Sequence, residues 1–378
     1  VVFRPDNRYL CLPLHLMSQR EMLMSVRSLF RYWMPLLVLA LTSCMDYGPA
    51  EEEVFDVPRN EPLVFVVCEG NFQYGNASLS LYNPDSRRVE NNVFARANGI
   101  PLGDVAQSMT VRDGKGYVVV NKSGIVFVID LRSLKITGSI PGLVSPRYIH
   151  FVNDAKAYVT DLYAGRIAVV NPGTCRITGY ISTGEHKSTE RMVAWGDYVF
   201  TNCWSYDDCI LVIDTRTDTV VGEITVGAQP SSMVLDRNGK LWCTVEGGYG
   251  GAGEGTASLV KIDAATRTVE RRFDFAVGEL PRSLAIDGAG GRLYFINRSV
   301  WSMPVDATGL PTDPVLPYRG TLYYTLGVDP VGGELYVADA VDYMQAGVVY
   351  RLTPGGETLD SFRCGITPGG FCFVEPEI

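Results

Sequence analysis

Apolar residues recur along this chain in short, β-branched runs, each stopped by an Asn, Asp or Glu and followed by a turn. One stretch shows the unit: Val199-Phe200-Thr201-Asn202, then Ile210-Leu211-Val212-Ile213-Asp214, a turn over 215–218, then Val220-Val221-Gly222-Glu223-Ile224. Alternating or wholly apolar runs of this length between Asx and Gly turns predict strands rather than helices. A further strand opens each unit, as at Ser231-Ser232-Met233-Val234-Leu235-Asp236. The Asp or Asn that ends a run can accept backbone N–H groups two residues on, which stops pairing there.

The unit repeats. Its first polar anchor falls at Glu69, Asn121, Asp161, Asn202, Glu246, Asn297 and Asp339, in steps of 40 to 52 residues. The second falls at Asn83, Asp130, Asn171, Asp214, Asp263 and Asp306, with Thr353 in the last copy. Seven copies of four strands predict an all-β, seven-bladed β-propeller, in which each small sheet buries both faces against its neighbours. Leu63-Val64-Phe65-Val66-Val67 lacks an opening strand, and Phe371-Cys372-Phe373-Val374 is an opening strand with no unit after it. The two chain ends are therefore expected to share one blade and close the ring. Tyr158-Val159-Thr160-Asp161 and residues 210–230, with Val220-Val221 and Val226-Gly227, resemble the YVTN repeat. The resemblance covers about residues 63–378 and implies fold far better than function.

The N-terminal segment follows another pattern. Arg27 and Arg31 precede the apolar run Trp33 to Leu41, too short to span a bilayer and shaped like a secretory signal. Leu41-Thr42-Ser43-Cys44 resembles the bacterial lipobox, whose Cys is lipidated and becomes the first mature residue. The expected organisation is a leader over 1–44, a flexible tether over 45–62 and the propeller over 63–378. Residues 1–21, upstream of Met22 and Met24, are expected to lie ahead of the true start. Met45 after the Cys resembles outer-membrane sorting. The acids Asp46, Glu51, Glu52 and Glu53 resemble surface-export signals, so the expected location is the outer membrane, lipid-anchored through Cys44 at the cell surface.

The formal charge is −9, and the leader holds five Arg against Asp6 and Glu21, so the remainder is more acidic than the whole. Nucleic acid is not an expected partner. Three His (His15, His150, His186) and the lack of any C-x-x-C argue against a His-built or zinc-ribbon centre, so neither metal nor cofactor is expected. Of nine Cys, seven follow the leader; Cys203 and Cys209 flank a short hairpin loop and are the expected disulfide. Asp207-Asp208 lack calcium-loop spacing and read as solvated acids. Gly248-Tyr249-Gly250-Gly251-Ala252-Gly253 matches G-x-G-x-x-G without a following helix, which reads as a lid and not a dinucleotide site.

With opening strands innermost, the loops before them and those after the first anchors share one face of the ring. The residues at that mouth are Gln107, Arg147, Glu190, Ser231, Arg282, Tyr324 and Gly369, with Arg191 one further. Such arginines either hold a phosphate, carboxylate or amide-rich ligand or pair with Glu190 and seal the channel. Loop aromatics Phe72, Tyr74, Tyr163, Trp204, Tyr206, Tyr249 and Tyr343, with Trp301 beyond Asn297, suggest stacking on a large ligand. The expected ligand-binding set is Gln107, Arg147, Arg191, Arg282 and Tyr324 with Phe72, Tyr74, Tyr163, Trp204, Tyr206, Tyr249 and Tyr343, leaving out Trp301.

Lipobox, tether and repeats together resemble surface lipoproteins, and Glu69-Gly70-Asn71-Phe72 with residues 101–109 resembles the cobalamin-capturing propellers of Gram-negative bacteria. The resemblance implies capture of cobalamin, or another large nutrient, by a monomer that passes it to a TonB-dependent transporter. Two alternatives stand. Seven-bladed lactonases share the architecture, and Glu69, Asp161, Glu246 and Asp339 would there surround a divalent cation. A structural surface protein would need no pocket. No G-x-S-x-G is present, and neither His150 nor His186 adjoins an obvious nucleophile, so catalysis has less support than binding.

Overall fold

The computed structural model describes residues 52–248 and 255–376. The leader, Cys44, the first part of the tether and most of the glycine-rich segment, Tyr249 included, lie outside the described residues. Among the described residues seven antiparallel sheets form a β-propeller. In six the opening strand is one edge and the strands that follow it in the chain lie outward in order, three of them in five sheets and two in the sixth. The innermost strands are Ala106–Arg112, Pro146–Asn153, Thr189–Trp195, Pro230–Leu235, Arg282–Ile286, Tyr323–Val328 and Pro368–Val374. Each adjoins the next in this order, and the last adjoins Ala106–Arg112. The ring closes as expected: Leu63–Cys68 pairs with Pro368–Val374, Phe65 opposite Cys372.

Burial explains the sequence pattern strand by strand. Second strands such as Leu335–Asp339 are buried throughout and read as continuous apolar runs. Outer strands such as Arg176–Ser182 and Thr219–Thr225 alternate between exposed and covered positions. The core lies between sheets: Val119, Val126 and Val128 of one blade meet Val159, Ala168 and Val170 of the next. Phe200, Ile210 and Val212 meet Leu241, Cys243 and Val260 in the same way. Each such Val, Leu, Ile or Phe side chain withdrawn from water contributes about 1.5–3 kcal/mol, which binds wedge to wedge.

The strand-end acids behave as the sequence implies. Asp130 Oδ1 accepts the N–H groups of Arg132 and Ser133 at 3.1 and 2.8 Å, and Asp214 Oδ1 that of Arg216 at 2.8 Å.

Three features depart from the expectation. The blade opened by Arg282–Ile286 has three strands, not four. Pro311, Pro314 and Pro317 occupy the segment where its outer strand would form, and prolines cannot donate to a ladder. Only a bridge from Val300 to Leu316 remains. A short helix, Val93–Asn98, follows the first blade and buries Val93, Phe94 and Ala97. The described end of the tether is docked: Val57 is buried, Glu53 N–H donates to Arg96 O at 2.8 Å, and Val57 N–H donates to Arg132 O at 2.8 Å.

Candidate functional site

Every innermost strand carries a register shift at its mouth end, between Ala106 and Ser108, Pro146 and Ile149, Thr189 and Met192, Pro230 and Ser232, Arg282 and Ala285, and Tyr323 and Thr325. In Pro368–Val374 the shift falls opposite Val67 and Cys68. A bulge breaks strict alternation, so two successive residues can face the same space. Arg147 with Tyr148, Glu190 with Arg191, Ser231 with Ser232, Arg282 with Ser283 and Tyr324 with Thr325 accordingly line one pocket of about 280 Å³. Gln107, Gly369, Glu69, Glu246 and Trp204 complete it.

The first anchors divide by length. Asn121 donates to Ser145 Oγ at 2.8 Å and Pro146 O at 3.1 Å. Asp161 Oδ2 accepts from Val144 and Ser145 N–H at 3.0 and 2.8 Å, and its Oδ1 from Tyr163 and Ala164 N–H. Asp339 Oδ1 accepts Val341 N–H at 2.8 Å. These short side chains are occupied by loop backbone. Glu69 and Glu246, one methylene longer, reach the pocket. Tyr324 OH donates to Glu69 Oε1 and Oε2 at 3.1 and 3.0 Å, and Trp204 Nε1–H to Glu246 Oε2 at 3.2 Å. The four-carboxylate cage of the lactonase alternative therefore does not assemble in the pocket, because Asp161 and Asp339 cap their own strand ends.

Charges inside the pocket are unequally shared. Arg147 Nε donates to Glu190 Oε1 and Oε2 at 2.8 and 2.9 Å, with 17% and 5% of the two side chains exposed. Arg147 also donates to Gln107 Oε1, while Gln107 Nε2 lies 3.4 Å from Tyr148 OH. Burial opposes the charge of Arg147, but Glu190, Tyr148 and Glu69 together outweigh it and hold the guanidinium above its ordinary value. Burial pushes the Glu190 carboxyl up, against the pull of Arg147. Burial also raises Glu246, against hydrogen bonds from Trp204 and Ser231, and takes Glu69 up to about 7, against the Tyr324 hydrogen bond and the Arg147 charge. Tyr324 is raised in turn by burial and by the Glu69 charge.

The other two arginines differ. Arg282 donates to Tyr323 O at 3.1 Å, and Arg191 lies over the Tyr148 ring at 4.8 Å. Among the described residues neither is in salt-bridge contact with a carboxylate. Arg147 thus takes the sealing role, while Arg191 and Arg282 retain guanidinium N–H groups without carboxylate partners.

The structure brings Gln107, Arg147, Arg191, Arg282, Tyr324 and Trp204 together in the pocket. Phe72, Tyr74, Tyr163 and Tyr206 are exposed on loops of this face, outside its lining. Tyr343 meets Tyr324 edge-on at 5.6 Å, and Lys122, from the loop without aromatics, lies over Phe72 at 5.2 Å. Trp301 belongs to the strand Ser299–Pro304, packs against a core and donates to Asn297 O at 3.0 Å. Tyr148, Ser232, Ser283 and Thr325 were not legible as lining because period-two alternation turns them away. Cys203 and Cys209 are free thiols rather than the expected disulfide. The Cys209 thiol lies 3.4 Å from His186 Nδ1. Asp207 is not a solvated acid either, since its Oδ2 is 2.8 Å from that same nitrogen.

Residues 64–342 match the model of a domain of unknown function, DUF5074. The chain belongs to the DUF5074 family. No curated protein matches this DUF5074 chain. Its fold is similar to that of a quinonprotein alcohol dehydrogenase-like protein from Bacteroides thetaiotaomicron, at 14% identity and TM-score 0.65 over 84% of this chain and 79% of that one. A functionally unknown protein from Desulfotomaculum acetoxidans matches at 12% identity and TM-score 0.63, over 83% of this chain and 99% of that one. Kuenenia stuttgartiensis hydrazine synthase matches at 16% identity and TM-score 0.56, over 71% and 89%. Identities this low speak for the propeller fold of the DUF5074 chain and not for its chemistry.

Proposed function

We propose that this propeller is a ligand-capture module, lipid-anchored through Cys44 at the surface of the outer membrane, serving an outer-membrane transporter. The observation that supports it best is the pair Arg191 and Arg282, set in the mouth without carboxylate partners beside the sealed Arg147–Glu190 pair. Guanidinium groups with spare donors suit phosphate, carboxylate and amide carbonyl oxygens. A pocket of about 280 Å³ takes one polar substituent of a large ligand. The body of that ligand lies across the rim, where Phe72, Tyr74, Tyr163 and Tyr206 present exposed rings. Cobalamin, with its amide side chains and phosphodiester, fits this description and is the ligand we propose, in keeping with the family resemblance of residues 69–72 and 101–109.

Thermal denaturation of the full chain against corrinoids, glycans and divalent cations tests the reading, since a tight ligand of the folded state raises the melting temperature. A rise with corrinoids alone supports capture of cobalamin. A rise with glycans alone replaces the ligand, and one with divalent cations that depends on Glu69 and Glu246 favours the hydrolase alternative.

A further inference from the structure

A second constellation lies apart from the mouth pocket. His186, Cys203, Asp207 and Cys209 bring one ligand atom each to within 4.8 Å of one another. The four residues belong to one blade. His186 sits in the loop before Thr189–Trp195, Cys203 ends Tyr198–Cys203, Asp207 lies in the hairpin loop, and Cys209 opens Cys209–Asp214. His186 Nδ1 is 3.0 and 2.8 Å from the Asp207 carboxylate oxygens and 3.4 Å from Cys209 Sγ. His186 Nε2 is 3.3 Å from Glu223 Oε2.

Backbone bonds hold these groups in place. His186 N–H donates to Thr183 O at 3.2 Å, Gln229 N–H to Asp207 O at 2.8 Å, and Asp208 N–H to Asp207 Oδ1 at 2.8 Å. The thiols are buried, while His186 and Asp207 line an open pocket with Glu185, Asp208 and Gln229.

We infer that His186, Cys203, Asp207 and Cys209 form a tetrahedral site for a zinc-type transition-metal ion. Two thiolates, an imidazole and a carboxylate are the soft and borderline donors that such an ion selects. At bond lengths of about 2.0–2.3 Å, tetrahedral ligand atoms stand roughly 3.3–3.8 Å apart, so modest contraction of this cluster encloses an ion. Glu223 supplies the carboxylate that orients a metal-bound imidazole through its second nitrogen. Binding displaces the two thiol protons to solvent and leaves the carboxylate and the neutral imidazole as ligands. The open pocket gives the ion its path in, and four protein ligands make the site structural. The ion staples the loop before Glu190 and Arg191 to the hairpin that carries Trp204.

The test uses the full chain, purified under a phosphine reductant, stripped with chelator and titrated with Co2+ and then Zn2+. The expected result is thiolate-to-cobalt charge-transfer absorption with tetrahedral d–d bands, displaced by one zinc per chain, and a zinc-dependent rise in melting temperature. His186→Gln and Asp207→Asn, at the open side of the site, are expected to weaken zinc binding by at least about 10–100-fold. Cys203→Ser is expected to halve the charge-transfer absorption. Absence of that absorption in chain shown by peptide mapping to have both thiols reduced overturns the proposal. So does a band that survives Cys203→Ser undiminished, or zinc affinity unchanged in both His186→Gln and Asp207→Asn.

Discussion

Arg147 and Glu190 come from neighbouring innermost strands and meet with Nε 2.8 and 2.9 Å from the two carboxylate oxygens. A pair this buried is held less by its own attraction than by the cost of leaving either charge alone. Arg147→Ala should destabilise the chain by about 3–5 kcal/mol, because Glu190 then remains buried without its partner. Replacing both by apolar residues of similar volume should cost much less. Urea denaturation of the single and double variants gives both values, and equal losses would contradict the assignment.

Glu69 makes stability depend on pH. Its carboxyl titrates at about 7 in the fold against an ordinary 4.5, with Tyr324, Arg147 and Glu190 facing it. The unfolded chain therefore releases this proton first. The contribution of Glu69 is fully present below about pH 4.5 and is lost as pH rises to about 7, a change of about 3 kcal/mol. Glu69→Gln keeps the neutral form at every pH. Its melting temperature relative to the parent should rise across that interval and level off above it; a difference that stays constant with pH would contradict the burial argument.

Gly369 leaves room for that same carboxylate. A Cβ there would fall 2.2 Å from Glu69 Oε1 and 2.8 Å from its Cγ and Cδ. Gly369→Ala should cost about 1–3 kcal/mol by overpacking. In a Glu69→Ala background the same change should cost almost nothing. A double-mutant cycle measures the coupling, and additive effects would place the strain elsewhere.

The ring depends on its last strand. A chain ended after Thr367 loses Pro368–Val374, exposing the edge of Leu63–Cys68 and parting two blades. Cooperative thermal unfolding should disappear, with aggregation through the unpaired edge. An unchanged melting curve would show that closure contributes little.

The architecture was legible because the physics of a blade is local. Second strands buried on both sides must be apolar throughout, and Asx anchors such as Asp130 must stop them. Even the shared blade followed from an unmatched strand at each end. The missing outer strand after Ser299–Pro304 was legible in Pro311, Pro314 and Pro317, but a count of repeats passes over such punctuation. The mouth was half legible. Alternation brings Arg147 and Arg282 inward, while the bulges that add Tyr148, Ser232 and Thr325 are set by backbone register and not by side-chain pattern. The choice between pairing and spare capacity for each arginine was not legible, because it depends on which carboxylates lie across a blade boundary. The cluster at His186 was hidden for a similar reason: its cysteines lack C-x-x-C spacing and its histidine comes from another loop.

The proposed capture at the mouth rests on Arg191 and Arg282. The most direct measurement is equilibrium binding of cyanocobalamin by isothermal titration to the full chain and to its Arg191→Ala, Arg282→Ala double variant, with melting temperatures recorded alongside. Each lost charged hydrogen bond costs about 1.5–3 kcal/mol, so affinity should fall by roughly a hundredfold or more while folding is preserved. No binding to the parent chain, or equal affinity in the double variant, would contradict the account.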